Sequence, residues 1–478
     1  MNSSQRRPHI GFIVDHPRRD LGGAAMVARA AARAGCIVSL IPLYEQGVDV
    51  PLLGLDGLIT TFARPANQAL VATYSRLGIP VWVLDTEGGV LADNGPNTPH
   101  KLAAFIRDSG FADTLAGYMF WGPLLRDAFA ADAALGEDRM VVTGCPRFDF
   151  AAPRFRALLR YDCENFVLVN TNFSSVNSRF GNGGVDRDAM EKAGWGPAYV
   201  DGLIEDGRAI LARLIDTVCQ LARDYPEQLF LVRPHPFERA ETYASAFDGL
   251  GNVHVRGEGN VLNVIANCRC VLHLNCGTAI EAIMLNKLPI ALDFISTPRM
   301  RTHSSLPGRV SLEVNDYQTL KQTLEGLPAL TATFDFASRY ALHIAPYFFE
   351  NDGLAADRVV QAALAAVPSR PVRRSLSTAM CGSHFKPTLA QMGQGAASVI
   401  FGSRATAAVR SSLQRHRVQK QFDVEEVRRV LGAITGHLDE PALEVSWQRH
   451  PWSGARLASV RVCDPAATSV GHAGAKPC

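Results

Sequence analysis

The chain has 478 residues, more than the roughly 250 to 300 at which a single hydrophobic core stops growing, so two or three domains are expected. With 48 Lys and Arg against 46 Asp and Glu, the net charge of +2 gives no global reason to bind nucleic acid, and no nucleic-acid partner is expected. Ten scattered cysteines in a chain this long read as reduced thiols, the opening MNSSQRRPHIGFIVDHPRR is too polar for a secretory signal, and no uncharged apolar run of about 18 residues occurs; a cytoplasmic location is expected.

From the N-terminus, His9–Asp15 is a short apolar run that reads as a strand covered on both faces. Gly22-Gly23 then lead into a helical pattern, AAMVARAAARAGC, that closes at Gly35. IVSLIPLY and LDGLITTF read as strands, NQALVATYSRLG as a helix and IPVWVL as a strand; a last strand at Met140–Thr143 precedes a Gly-Cys-Pro turn. The first domain is expected over 1–155. A second series runs over 160–368: the strand FVLVN, a Gly- and Asn-rich loop over 176–202, a long helix from Tyr199, the strand LFLVR, the strands VHV, CVLHL and LPIAL, and a final helix near Ala355–Ala366. Strands alternating with helices predict an α/β fold of two parallel-sheet lobes facing across a cleft. The remainder, 369–478, reads as a basic linker and a small helical tail with one firm helix, FDVEEVRRVLGAITGHL. Between Pro371 and Phe422 it has eight Lys and Arg and no acid. The basic tract 373–420 reads as a solvated spacer, with an anionic membrane surface or a glycan-assembly partner as the functional alternative.

Ligands of open parallel sheets bind outside the carboxyl ends of the strands, which singles out four polar strand ends. At the first, His16 and Arg18 are candidates to meet an anion, and Gly22-Gly23 to let backbone approach a substrate. At the second, Leu84-Asp85-Thr86-Glu87-Gly88-Gly89, a carboxylate on a tight turn suits a general base, Glu87 before Asp85. At the third, RPHPFE, two prolines stiffen the backbone around His235, which with Arg233 suits a phosphate. At the fourth, HLNCGTAIEA, a helix start at Gly277 and Thr278 offers N–H groups to a phosphate, and Glu281 either accepts from ribose hydroxyls or caps the helix with Thr278. Arg64 and Asn67, at another strand end, are candidates for positioning an anionic acceptor; Asn172 and Ser174, after the strand FVLVN, are further substrate-side candidates. No GxGxxG, GxSxG, P-loop or HExxH pattern occurs, so no metal site and no required cofactor are expected.

Taken together, DTEGG, GCPRFD, LVRPHPFE and LHLNCGTAIEAIMLNKLPIALD resemble GT-B glycosyltransferases, specifically bacterial surface-carbohydrate enzymes related to capsule and lipopolysaccharide Kdo transferases and, more distantly, bacterial sialyltransferases. The resemblance covers about residues 8–368. It implies two Rossmann-like lobes, a nucleotide-sugar donor such as CMP-Kdo, and a surface polysaccharide or lipopolysaccharide acceptor at the inner face of the cell envelope. It also implies that Glu87 is the base and that His235-Pro236 contacts the nucleotide phosphate, although Thr86 stands where the sialyltransferase pattern has an acid. The phosphate-side motifs also resemble polyol-phosphate transferases and UDP-GlcNAc 2-epimerases. A non-catalytic assembly protein with the same lobes is the alternative of another class.

Overall fold

The computed structural model describes residues 7–91, 98–179, 187, 190, 191, 195–367, 417–449, 451, 454 and 456–466. These form two compact units: Met1–Gly88, Leu102–Asp149 and Asp352–Cys478 bound unit 1, and Gly89–Lys101 and Phe150–Asn351 bound unit 2.

In unit 1 the apolar runs form strands β1 (His9–Val14), β2 (Ile37–Pro42), β3 (Gly57–Thr60), β4 (Val81–Leu84), β5 (Gly117–Phe120) and β6 (Met140–Val142). They lie in the order β2-β1-β3-β4-β5-β6, all parallel, so the chain changes direction across the sheet between β1 and β3. β3 and β4 are buried at every position, as strands covered on both faces must be. Helix α1 (Pro17–Arg33) starts earlier than its sequence pattern predicts, because Pro17 fits the first helical position and Asp20 suits the positive end of the helix. Gly22 and Gly23 therefore lie inside the helix instead of leading into it. The close approach that Gly23 permits is to the protein's own backbone: a Cβ there would stand 2.7 Å from the Arg147 amide nitrogen.

Two further segments belong to unit 1, against the expected domain limits. Helix α4 (Ala355–Ala365), expected in the second lobe, joins unit 1, where its first N–H groups, of Ala355 and Ala356, donate to Asp149 at 3.0 and 2.9 Å. Arg358 donates to the Thr143 carbonyl at 2.9 Å. An Ala- and Val-rich helical face suits either lobe; its packing on α1 and β3, with the ties to Asp149 and Thr143, fixes the choice. The tail forms helix α5 (Val424–His437), capped reciprocally by Asp423 and Glu426, and a hairpin of β13 (Glu444–Arg449) and β14 (Arg456–Cys463). β14 pairs antiparallel with β2, Val460 opposite Leu40 and Val462 opposite Val38, so what was expected to be a separate tail completes an eight-stranded sheet among the described residues. Glu440, just past α5, binds Arg29 and Arg33 of α1, and Asp464 binds Arg33. The basic tract 373–420 lies outside the described residues as far as 416. At its end Arg417 grips Glu45 through two bonds of 2.9 Å, and Lys420 pairs with Asp15.

Unit 2 is a wholly parallel sheet in the order β12-β11-β10-β7-β8-β9, made of β7 (Phe166–Asn170), β8 (Phe230–Arg233), β9 (Val253–Val255), β10 (Cys268–His273), β11 (Leu288–Leu292) and β12 (Leu312–Val314). Helix α2 (Pro197–Asp224) runs for 28 residues and buries Ile210, Leu214, Val218 and Leu221 against Val167, Val169 and Phe230 of the sheet. Its start falls within the expected loop 176–202; most of 180–194 lies outside the described residues. Here the switch in direction comes between β7 and β10, whose carboxyl ends are adjacent. Helix α3 (Thr278–Met284) follows β10.

Candidate functional site

In unit 2, Asn170 is in register with Arg233 on one side and His273 on the other, which lines up three strand ends at the switch point. Asn170 is buried; its Nδ2 donates to Thr278 Oγ at 2.8 Å, while its Oδ1 is buried with no hydrogen-bond partner. The Thr278 hydroxyl donates to Cys276 Sγ at 3.1 Å. Gly277 already has helical dihedrals, so Thr278 stands at the first helical position and no side chain caps α3. The capping role allowed for Thr278 with Glu281 is therefore not the one adopted, and Glu281 sits half-buried on the first turn. Asn275 takes a left-handed conformation, φ 50°, and its Nδ2 holds the Met300 carbonyl at 2.8 Å. Beneath the turn His273 is buried between Ser311 Oγ at 2.8 Å and the Cys276 N–H at 3.3 Å, and burial lowers its pKa to about 4.

The RPHPFE loop is organised by a residue given no role in the sequence reading. Glu238 is buried and accepts from the Thr171 hydroxyl at 3.0 Å, from the Phe173 N–H at 2.7 Å, from the His235 N–H at 3.3 Å and from the Tyr243 hydroxyl. Burial and the Glu238 charge both push the Tyr243 pKa up, which keeps that hydroxyl a donor. The loop is thus tied to the segment that follows β7, which carries exposed Asn172 and half-buried Ser174 on either side of buried Phe173. His235 Nδ1 accepts from the Phe237 N–H at 3.3 Å, which puts the proton of a neutral ring on Nε2. Arg233 points its guanidinium at the carbonyls of Glu258 and Gly259, 2.6 and 2.8 Å away, and so clamps the loop after β9. The signal for Glu238 was present in the sequence: an acid closing a doubly proline-stiffened turn has to be either exposed or consumed by donors.

In unit 1 a cavity of about 40 Å³ lies at the β1/β3 switch point, lined among others by Thr60, Thr61, Asp85, Trp121, Cys145 and Arg147. Thr61 Oγ is buried there without a partner. Asp85 is buried and fully engaged: Arg64 pairs with it at 2.8 Å, the Tyr118 hydroxyl donates at 3.0 Å, and its other oxygen accepts the Glu87 N–H at 3.0 Å. Burial works against the Arg64 charge, yet Asp85 and Tyr118 keep the Arg64 pKa above the ordinary arginine value. Asp85 and Arg64, placed by sequence as second base and anion binder, together set the turn that carries Glu87. Asn67 is buried and shapes its own loop, accepting from the Arg64 N–H at 2.9 Å and donating to the Phe62 carbonyl at 2.7 Å. Glu87 itself is exposed, and its charge acts on Arg19, which also pairs with Asp15 and Asp20. His16 precedes α1 with its Nδ1 buried and unpartnered, and burial lowers its pKa against the pull of Asp20; Arg18 beside it is exposed.

Each unit thus gathers its own candidates at the carboxyl edge of its sheet: His16, Arg18, Arg64, Asn67, Asp85 and Glu87 in one, and Asn172, Ser174, Arg233, His235, Gly277, Thr278 and Glu281 in the other. Among the described residues no cluster of three or more His, Cys, Asp or Glu forms a metal site, and no helix is long and apolar enough to cross a membrane.

No protein-family model matches the chain, and no curated protein is similar to it in sequence. Among solved structures, the UDP-GlcNAc 2-epimerase of Methanocaldococcus jannaschii in complex with UDP-GlcNAc and UDP is 11% identical over 74% of this chain and 98% of its own, with a TM-score of 0.43. The UDP-GlcNAc 2-epimerase of Neisseria meningitidis bound to UDP-GlcNAc is 12% identical over 75% of this chain and 100% of its own, TM-score 0.44. The wall teichoic acid polymerase TagF is 12% identical over 66% of this chain and 73% of its own, TM-score 0.40. The chain's own strand orders define two Rossmann-like α/β units, each with a change of direction across its sheet.

Proposed function

We propose that this protein is an enzyme acting on a nucleotide-activated sugar, with the nucleotide held at the β7/β10 switch point of unit 2. The observation that carries this reading is the partnerless buried Asn170 Oδ1 beside the Thr278 hydroxyl, at the place where an open parallel sheet accepts ligands. A buried acceptor without a donor calls for one from a ligand, such as a ribose hydroxyl. His235, presented on a loop fixed by Glu238, and the N–H groups near Gly277 would then take the phosphate.

The finer reading is glycosyl transfer, from a CMP-activated donor such as CMP-Kdo to a surface glycan. In such a transfer the acceptor hydroxyl gives its proton to a base as its oxygen bonds the anomeric carbon, and Glu87 is the candidate base that unit 1 offers. The bond from that carbon to the phosphate oxygen breaks, and the nucleotide leaves with the electron pair, its charge met by His235. Support for Glu87 is its exposure on a turn whose N–H is locked by Asp85.

Calorimetric titration with CMP, CDP, UDP and GDP, on the wild type and on His235→Ala and Thr278→Ala, tests the site. Binding of one nucleotide is expected, weakened about tenfold or more in His235→Ala by the loss of one hydrogen bond to a charged group, and weakened in Thr278→Ala by the loss of the hydroxyl that holds Asn170 in place. Preference for CMP supports transfer. Preference for UDP, with turnover in the absence of an acceptor, replaces it with 2-epimerisation, and preference for CDP replaces it with polyol-phosphate transfer. No binding of any of the four overturns the site.

A further inference from the structure

The C-terminal hairpin carries a second recess, unconnected with the nucleotide reading. Between the first turn of α5 and the hairpin lies an open groove of about 810 Å³, large enough for a ring-bearing ligand and lined by Arg428, Trp447, Arg449, Arg456 and Arg461. The acids on its wall are already committed within the fold. Asp423 accepts the Glu426 N–H that caps α5, Glu425 pairs with Arg428, and Glu444, beside the groove, pairs with Arg461. That leaves Arg449 and Arg456, which are direct cross-strand partners in the β13–β14 ladder. Like charges facing each other across an antiparallel pair repel, and among the described residues no carboxylate forms an ion pair with either. Arg449 donates to the Gly454 carbonyl at 3.1 Å, and the Arg456 guanidinium lies 3.3 Å from the centre of the Trp447 ring. Two forked cations thus stand at paired ladder positions, one of them on the Trp447 ring, where an anion bridging them would offset their mutual repulsion.

We propose that this groove binds a negatively charged saccharide, its phosphate or carboxylate bridging Arg449 and Arg456 and its ring lying along Trp447. Charge argues against the chain's own preceding tract as the occupant, since 371–422 contains no acid.

The test is calorimetric titration of the full chain with a glucuronate-containing tetrasaccharide, with glucose 1-phosphate and with uncharged maltotetraose, alongside the double variant Arg449→Gln/Arg456→Gln. At least one of the two anions should bind, maltotetraose should not, affinity should fall as salt rises, and the double variant should lose tenfold or more. Which anion binds tells a carboxylate site from a phosphate site. Without ligand the variant should melt at the same temperature as the wild type or higher, because it relieves the repulsion, and this separates lost binding from lost folding. Equal affinity in the variant, equal binding of maltotetraose, or no binding of either anion overturns the proposal. Because none of these residues belongs to unit 2, His235→Ala should leave this binding unchanged.

Discussion

His273 closes β10 with both ring nitrogens engaged: Nδ1 accepts the Cys276 N–H, so Nε2 carries the proton and donates to Ser311, which passes its own on to the Pro307 carbonyl at 2.6 Å. The neutral ring is built into the turn below Gly277. Its folded pKa of about 4 lies under the unfolded value of about 6.5, so the unfolded chain takes up a proton in this window and the folded one does not. Its contribution is complete above pH 6.5 and is lost as the pH falls towards 4, amounting to about 3 kcal/mol at 1.36 kcal/mol per unit. Urea midpoints measured from pH 7 to 4 should fall more steeply for the wild type than for His273→Asn; parallel curves would show that the ring charges in the folded state. The same scale shows what was legible at the site. Polar residues at strand ends stand out because a buried strand has no packing reason to end in His, Arg or Asp, and so Glu87, His235 and Thr278 could be named from sequence. Which of them face inward could not. Arg233, Arg64 and Asn67 are occupied by carbonyls and a carboxylate of their own unit, and Glu238 gains its importance from donors after β7, in its own loop and at Tyr243.

Among the elements, those covered on both faces announced themselves, since VWVL and LPIAL are short, wholly apolar runs, buried at every position. The hairpin β13–β14 did not. EVSWQR lies at the sheet edge with only Val445 buried, and its polar neighbours read as linker. Its partner RLASVRVC buries Val460 and Val462 completely, but the strand it completes, β2, lies over 400 residues away in sequence. Helix α4 was legible as a helix and not as a member of unit 1, because its first-turn partner Asp149 is 206 residues upstream. The hairpin's structural weight can be measured. A chain ending at Val367 removes β14 from β2 and Glu440 from Arg29 and Arg33, leaving a bare apolar edge. It should elute as aggregates and melt several degrees lower than the full chain, whereas a monodisperse truncated chain with unchanged melting would show that the hairpin is only appended. Val460→Asp, which puts a charge at a fully buried ladder position, should destabilise by about 3 kcal/mol or more in the intact chain.

For the whole molecule, the two units differ in how the chain builds them. The sheet of unit 2 comes from the unbroken stretch 150–351, with only the short segment 89–101 added to the unit, whereas unit 1 draws on stretches from both ends of the chain. The fragment 150–351 should therefore melt cooperatively and bind the selected nucleotide within about threefold of the full chain, with circular dichroism and titration as the readouts. The fragment 1–149 lacks α4 and the hairpin and should not melt cooperatively. If 150–351 is unfolded, the division into units is not one of stability. There is a consequence for the ribosome. β2 emerges early and β14 about 410 residues later, which at roughly 5 to 20 residues per second is about 20 to 80 s. Throughout that interval the growing polypeptide carries an unpaired hydrophobic margin, and neighbouring nascent copies on one message offer the same margin to each other. Slow translation or a shortage of chaperones should therefore cost this protein more of its yield than a chain whose sheet edges are all made early.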